Sequence, residues 1–344
     1  MAYTTINKPS EYFNTKLYTG TGSSNAITGV GFQPDLVWVK DRDAANSHNV
    51  SDAVRGATKT IFTDATAAEV TDATRLTSFD SDGFSVGTST SWNTNTNDYV
   101  SWNWLANGAG VSNTDGTITS TVSANTTSGF SIVKYIGNAV SGATFGHGLG
   151  AVPKMVIIKS LDNGATNWVI YHASLGNTKK LYFDTAAQAT TSNWSNTSPT
   201  SSVFTISGSE PNASGENFIA YCFAEKKGFS KIGSYTGNGN ADGPFIYTGT
   251  KPAFVLIKDA SNITSWVILD NKRSPFNSAD DVIRVNANSA EAVDTAYADT
   301  DFLSNGFKLR TSDAWFNTTG ETYIYMAFAE NPLVGTNGVP ATAR

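Results

Sequence analysis

The sequence predicts an all-β chain of three tandem jelly-roll or lectin-like β-sandwich repeats, and three observations predict it. Val, Ile, Thr, Phe, Tyr and Trp are plentiful while Leu and Glu are scarce, a balance that favours strands over helices. One block of pattern recurs three times in the same order. Asp-Gly and Asn-Gly pairs sit between apolar runs, which is the chemistry of tight hairpins.

The recurrence is visible in four registers. Tyr18-Thr-Gly, Tyr135-Ile-Gly and Tyr235-Thr-Gly open each block. GFQPDLVWVKD (31–41), GAVPKMVIIKS (150–160) and GTKPAFVLIKD (249–259) follow. Then come NSHNVSDAVRG (46–56), TNWVIYHASLG (166–176) and TSWVILDNKRS (264–274). YVSWNWLA (99–106), FIAYCFAE (218–225) and YIYMAFAE (323–330) close the blocks. These registers predict domains over 1–108, 109–226 and 227–344, the third carrying a C-terminal tail.

Pro34, Pro153 and Pro252 each precede an apolar strand, at a first position where a missing N–H does no damage. LVWVK, MVIIK and FVLIK are near-continuous apolar runs, as in a central strand buried on both faces or inside a sandwich. SFDSDGFSVG (78–87) and FLSNGFKLR (302–310) read as hairpins. The only candidate helical turns are AAEVTDATRL (67–76) and AEAVDTAYAD (290–299), both too rich in Thr, Asp and Val to favour a helix. ANGAGVSNTDG (106–116) reads as a linker, and TITSTVSAN (117–125) as an extra edge strand of the second unit. EKKGFSKIG (225–233) is a short charged joint, and the last residues, 331–344, look like a tail that docks on a neighbour.

Charged residues are only 15% of the chain, against ~25% in ordinary soluble domains, so the polar surface is largely uncharged. The formal charge is −6 and no Lys/Arg-rich run exists, which argues against nucleic-acid and anionic-membrane partners. No apolar run approaches the ~18 residues of a membrane span. The start, MAYTTINKPSEYF, lacks the apolar segment of a signal peptide. A single cysteine, Cys222, rules out an internal disulfide framework and a multi-cysteine zinc site, and no metal or cofactor is expected. Synthesis in a reducing cytoplasm is thus combined with an extracellular type of composition.

His48, His147 and His172 have no visible nucleophile or carboxylate partner, and no G-x-S-x-G elbow is present. Asp80 and Asp82 belong to a hairpin turn rather than a calcium loop, because the matching turn keeps no carboxylate. Glu225 and Glu330 end matching strands of different repeats, too far apart for a facing catalytic pair, and read as edge charges that discourage strand addition. No enzymatic activity is expected. Trp92, Trp194 and Trp315 differ from the other tryptophans in sitting in Asn/Ser/Thr-rich loops, the first and third at matching places. An indole beside amides such as Asn93 and Asn317 suits glycan contact, and the alternative is a loop anchor or protomer interface.

MAYTTINKPSEYFNTKLYTG, GVGFQPDLVWVKDR, HNVSDAVRG and TSFDSDGF resemble a repeat domain of otherwise unknown function. That domain occurs in tail-fibre and structural proteins of marine, cyanophage-like bacteriophages. STVSANTTSGFSIVKY, GSYTGNGNADGPFIYTG, FLSNGFKLR and MAFAENP extend the likeness to about Pro332. The resemblance implies a virion component of a tailed phage, a tail fibre or receptor-binding protein touching the host surface without catalysis. A capsid decoration or head-fibre protein and a glycan-binding lectin-like module are the alternatives. The expected partners are other virion tail proteins, further copies in a homotrimer, and a host surface glycan.

Overall fold

A computed structural model describes residues 3–293, 297–335, 338 and 340. The chain is all-β, in antiparallel sheets. The first stretch forms a six-stranded sheet in the order Phe13–Thr19, Asp98–Trp104, Leu36–Asp41, Asn49–Asp52, Lys59–Phe62, Val70–Thr71. The second keeps that order as Phe130–Ile136, Asn217–Phe223, Met155–Ser160, Val169–His172, Lys179–Tyr182, Thr190–Thr191. Ser120–Asn125 and then Val111–Asn113 extend its open edge. The third runs Ser230–Thr236, Thr322–Pro332, Thr250–Asp259, Val267–Asp270, Ile283–Arg284.

A smaller sheet accompanies each large one. These are Asn25–Thr28 with Gly83–Val86 and Leu76–Asp80, Ala143–Gly146 with Val203–Ile206, and Phe245–Tyr247 with Gly306–Leu309 and Thr300–Leu303. The two expected hairpins form as read, with Asp80 opposite Gly83 and Leu303 opposite Gly306.

The central strands are apolar throughout because both of their faces are buried, in different cores. Val37 and Val39 meet the small sheet of the first stretch, whereas Leu36 and Trp38 point the other way. Val156 and Ile158 alternate likewise with Met155 and Ile157, and Val255 and Ile257 with Phe254 and Leu256. The second set of side chains from all three stretches enters one common core. Its middle is a triangle of rings from the three closing registers: Trp104–Phe328 at 5.7 Å, Phe223–Phe328 at 6.1 Å and Trp104–Phe223 at 6.3 Å.

Hydrogen bonds close the stretches into a ring. Glu69 N donates to Leu161 O at 2.8 Å, Ala189 N to Ala260 O at 2.9 Å, and Glu291 N to Arg42 O at 2.9 Å. Lys40, Lys159 and Lys258 lie fully buried at the ends of their strands. Lys159 Nζ donates across the seam to Thr66 O at 2.7 Å as well as to Thr166 O at 2.9 Å. Burial holds all three ammonium groups below the usual 10.5, at about 8.

Several expectations are corrected. Residues 106–116 are no free linker: Ala106 N and Gly108 N donate to the Asp35 carboxylate at 2.7 and 3.1 Å, and Val111–Asn113 is a paired strand. Residues 67–76, read as unfavourable to a helix, are indeed not helical and contain the short strand Val70–Thr71. In 290–299, residues 294–296 lie outside the described residues and the others are not helical. Among the described residues the short helical turns are Pro9–Glu11, Thr90–Asn93 and Ser209–Asn212. Pro252 lies inside its strand, at a register shift that accommodates the missing N–H. The expected tail pairs with its own chain through Pro332, and part of it lies outside the described residues.

Candidate functional site at the loop corners

Each stretch turns its last corner on a buried asparagine. Asn93 Oδ1 accepts from Thr21 N at 2.8 Å, and its Nδ2 donates to Gly87 O at 2.7 Å and to Ser23 O. Asn317 Oδ1 accepts from Asn238 N at 2.8 Å, and its Nδ2 donates to Asn240 O and Thr311 O at 2.7 and 2.8 Å. Asn212 repeats the arrangement with Asn138 N and Val140 O, both at 2.9 Å. These amides replace the main-chain partners that the corner lacks.

The Tyr-x-Gly registers serve the same corner. Tyr18, Tyr135 and Tyr235 donate their hydroxyls to the carbonyls of Trp92, Pro211 and Phe316 at 2.8, 2.7 and 2.8 Å. A Cβ on Gly20, Gly137 or Gly237 would fall 2.0, 2.2 or 2.1 Å from the oxygen of Thr94, Ala213 or Thr318. Only glycine admits that approach. The hydroxyl bonds also correct the expected matching of loops: Trp92 corresponds to Phe316, one residue after Trp315.

The glycan-contact reading fails for four of its five residues. Trp92, Trp194, Asn93 and Asn317 are each 0% exposed. Trp92 packs with Val39, Phe84 and Tyr99 under the small sheet, and Trp194 donates Nε1 to Lys179 O at 2.9 Å against the ring of Phe204. Neither offers a face to a sugar, so both are loop anchors. Trp315 alone is partly exposed, edge-on to Tyr297 at 5.5 Å and beneath the Arg284 guanidinium at 5.5 Å.

The histidines are buried and engaged at both nitrogens. Trp38 Nε1 donates to His48 Nδ1 at 3.0 Å while His48 Nε2 faces Arg284 O at 3.0 Å. Leu149 N and Ser174 N donate to Nδ1 of His147 and His172, whose Nε2 atoms face Thr200 O and Tyr325 O. Each ring is therefore neutral with the proton on Nε2. Burial drives all three below 6.5, His172 to about 4.

Glu225 pairs with Lys231 at 3.2 Å and Glu330 with Lys251 at 3.7 Å, at separate places. Asp82 ties its hairpin turn to the loop that follows Asn25–Thr28, accepting from Gly31 N and Gly29 N at 2.7 and 2.9 Å. Burial pushes the Cys222 thiol up to about 12, far from thiolate chemistry at neutral pH. Among the described residues no three His, Cys, Asp or Glu side chains gather as a metal site, and no helix is long and apolar enough to cross a membrane.

A family model described as a domain of unknown function, DUF7483, matches residues 8–332. The chain belongs to the DUF7483 family. That single match spans all three stretches, in keeping with a core to which all three contribute. No curated protein and no solved structure matches the chain.

The pocket that sequence reasoning missed lies beside Tyr247, away from the tryptophan loops. Its signal was an aromatic in FIYTG where the corresponding edge strands carry Thr28 and Gly146. Pattern alone does not tell an outward tyrosine from a core one.

Proposed function

We propose that this member of the DUF7483 family is a non-enzymatic structural protein of a tailed-phage virion, of the tail-fibre or receptor-binding kind, made of three fused jelly-roll-type units. The observation that carries the reading is the closed ring about Trp104, Phe223 and Phe328, which joins all three stretches through one core in a sequence with a charge-poor polar surface. Such a core holds exposed loops in fixed places, as an attachment protein requires. The likeness to marine-phage fibre proteins supports the same reading, and the fully engaged histidines support the absence of catalysis.

The large common core also supplies from one chain the buried area that a charge-poor protein would otherwise draw from partners. Assembly into a homotrimer with other tail proteins would then serve to display copies rather than to complete a fold. Electron cryomicroscopy of the particles that carry this protein, with antibody labelling, tests the reading. Density at the tail tip or fibres supports it; density confined to the capsid surface replaces it with the decoration role.

A further inference from the structure

The outer face of the small sheet is covered in the second stretch and open in the third. Phe145 pairs with Phe204 as Ile246 pairs with Phe307, so Gly146 stands where Tyr247 stands, and Thr144 where Phe245 stands. In the second stretch the preceding hairpin sits on this face. A Cβ on Gly146 would lie 1.7 Å from Asn113 Oδ1, and Ser120 Oγ donates to Gly146 O at 3.0 Å. In the third stretch Ser230–Thr236 is the outermost strand, with no such hairpin upon it. The seat remains as a pocket of about 460 Å3, lined by Tyr3, Glu225, Lys227, Ser230, Lys231 and Tyr247 among others.

The edge of this seat is closed to a strand. Glu225 Oε1 takes the outward N–H of Ile232 at 2.9 Å, and its Oε2 binds Lys231 at 3.2 Å. A side chain thus occupies the donor that an added strand would pair with. The remaining walls suit a different ligand. Tyr247 is 54% exposed, and Tyr3 is fixed by a hydrogen bond to Gly249 O at 2.8 Å. The Lys227 ammonium lies 4.4 Å from the centre of the Tyr3 ring and makes no ion pair among the described residues. Two ammonium groups against one carboxylate leave the pocket net cationic. Its volume falls within the ~300–1,000 Å3 usual for small-ligand sites.

We propose that this pocket binds a uronic-acid residue of a cell-surface polysaccharide, with the sugar's C–H face on Tyr247 and its carboxylate toward Lys227. The proposal rests on the host-contact reading above. A pyranose has an apolar face for a phenol ring and a hydroxyl rim for Glu225 and Ser230, and its carboxylate supplies the anion that Lys227 lacks.

Saturation-transfer NMR on the full chain tests it, with a galacturonic-acid disaccharide at millimolar concentration and a neutral galactose disaccharide as control. Transfer to the acidic probe is expected, weakened by added salt. A loss of tenfold or more in affinity is expected in Tyr247→Ala and in Lys227→Ala, with Trp315→Ala unchanged. Both altered side chains are exposed, so melting temperatures should stay at the parent value. No transfer, equal transfer to the neutral probe, or undiminished binding in Tyr247→Ala would overturn the assignment. Lost uronate binding together with normal host adsorption of particles carrying Tyr247→Ala would remove the host-contact role and leave the pocket assignment standing.

Discussion

Trp168 Nε1 donates to the main-chain carbonyl of Phe62 at 2.8 Å, tying the second stretch of chain to the first. Trp266 ties the third to the second through Tyr182 O at 2.8 Å, and His48 ties the first to the third through Arg284 O at 3.0 Å. One bond is thus made three times, with histidine doing for the last seam what indole does for the others. Trp168→Phe keeps an aromatic body but orphans a carbonyl at a buried seam. We expect a loss of about 1–3 kcal/mol in urea unfolding, with a single transition because the core is shared. Two separated transitions would show that the stretches unfold independently.

A second seam shows coordinated replacement. Asp52, Arg55 and Glu69 form a buried ion-paired set in the first stretch, and Asp270, Arg273 and Glu291 form it in the third. His172, Leu175 and Ala189 occupy those places in the second. The aspartates receive Tyr221 Oη at 2.8 Å and Trp102 Nε1 at 3.1 Å, whereas Met326 has no donor and the residue facing that strand is His172. Arg273→Leu alone leaves Asp270 and Glu291 buried without that partner, and we expect a loss of about 3–5 kcal/mol. The triple change Asp270→His, Arg273→Leu, Glu291→Ala copies the second stretch at these three places. It takes the acceptor from Trp102 Nε1 but leaves no carboxylate of the set buried without its arginine, and it should lose less than the single change. A triple variant weaker than the single one would show that the two sets are not interchangeable.

The strands, the two hairpins and the order of the registers were legible because each is written in local pattern: period-two burial, Asp-Gly or Asn-Gly, and a proline before an apolar run. The common core was not. LVWVK is equally apolar in an isolated sandwich and in a ring where Trp38 faces other stretches, and periodicity cannot tell which surface buries the second face. The tryptophan loops were misread for a related reason. Asn and Thr around Trp92 suggest a solvated loop, yet Asn93 is there to satisfy buried main chain, and an amide that binds backbone looks in sequence like one that binds sugar.

Acid should destabilise the protein through its histidines. His172 has a native value near 4 against 6.5 unfolded, so the native state binds fewer protons between them. Its contribution is intact above pH 6.5 and is lost as the pH falls toward 4, about 3 kcal/mol in all. A proton on Nδ1 would also confront the Ser174 N–H that now donates to it. Asp184, raised by burial to about 6, works in the opposite direction over the same range. Comparing unfolding free energies of the parent and His172→Asn between pH 7 and 4 isolates the histidine: the variant should show the shallower fall, and parallel curves would rule the effect out.

Lys159 should matter for its hydrogen bonds more than for its charge. An ammonium held at about 8 by burial is costly, so Lys159→Met removes an unfavourable charge. It also strips a donor from Thr66 O and Thr166 O, at 2.7 and 2.9 Å, one of them on the neighbouring stretch. Each orphaned carbonyl costs about 1–3 kcal/mol, which outweighs the gain if the methionine leaves both dry. Net destabilisation is expected at pH 7, and an increase in stability would mean that desolvation dominates.

The loop tryptophans divide by burial. Trp92 is enclosed, so Trp92→Ala opens a cavity between the two sheets and should cost about 3–5 kcal/mol, as large-to-small core changes do. Trp315 leans on Tyr297 and Arg284 at the edge of its core and keeps solvent on one side, so Trp315→Ala should cost about 1 kcal/mol or less. Thermal unfolding of the two variants, followed by circular dichroism, checks the order. Under the proposed virion role, host adsorption by particles with Trp315→Ala then tests whether that indole also touches the cell. A Trp92→Ala variant as stable as its parent would contradict the packing described here, because no buried indole of that size can be removed without loss.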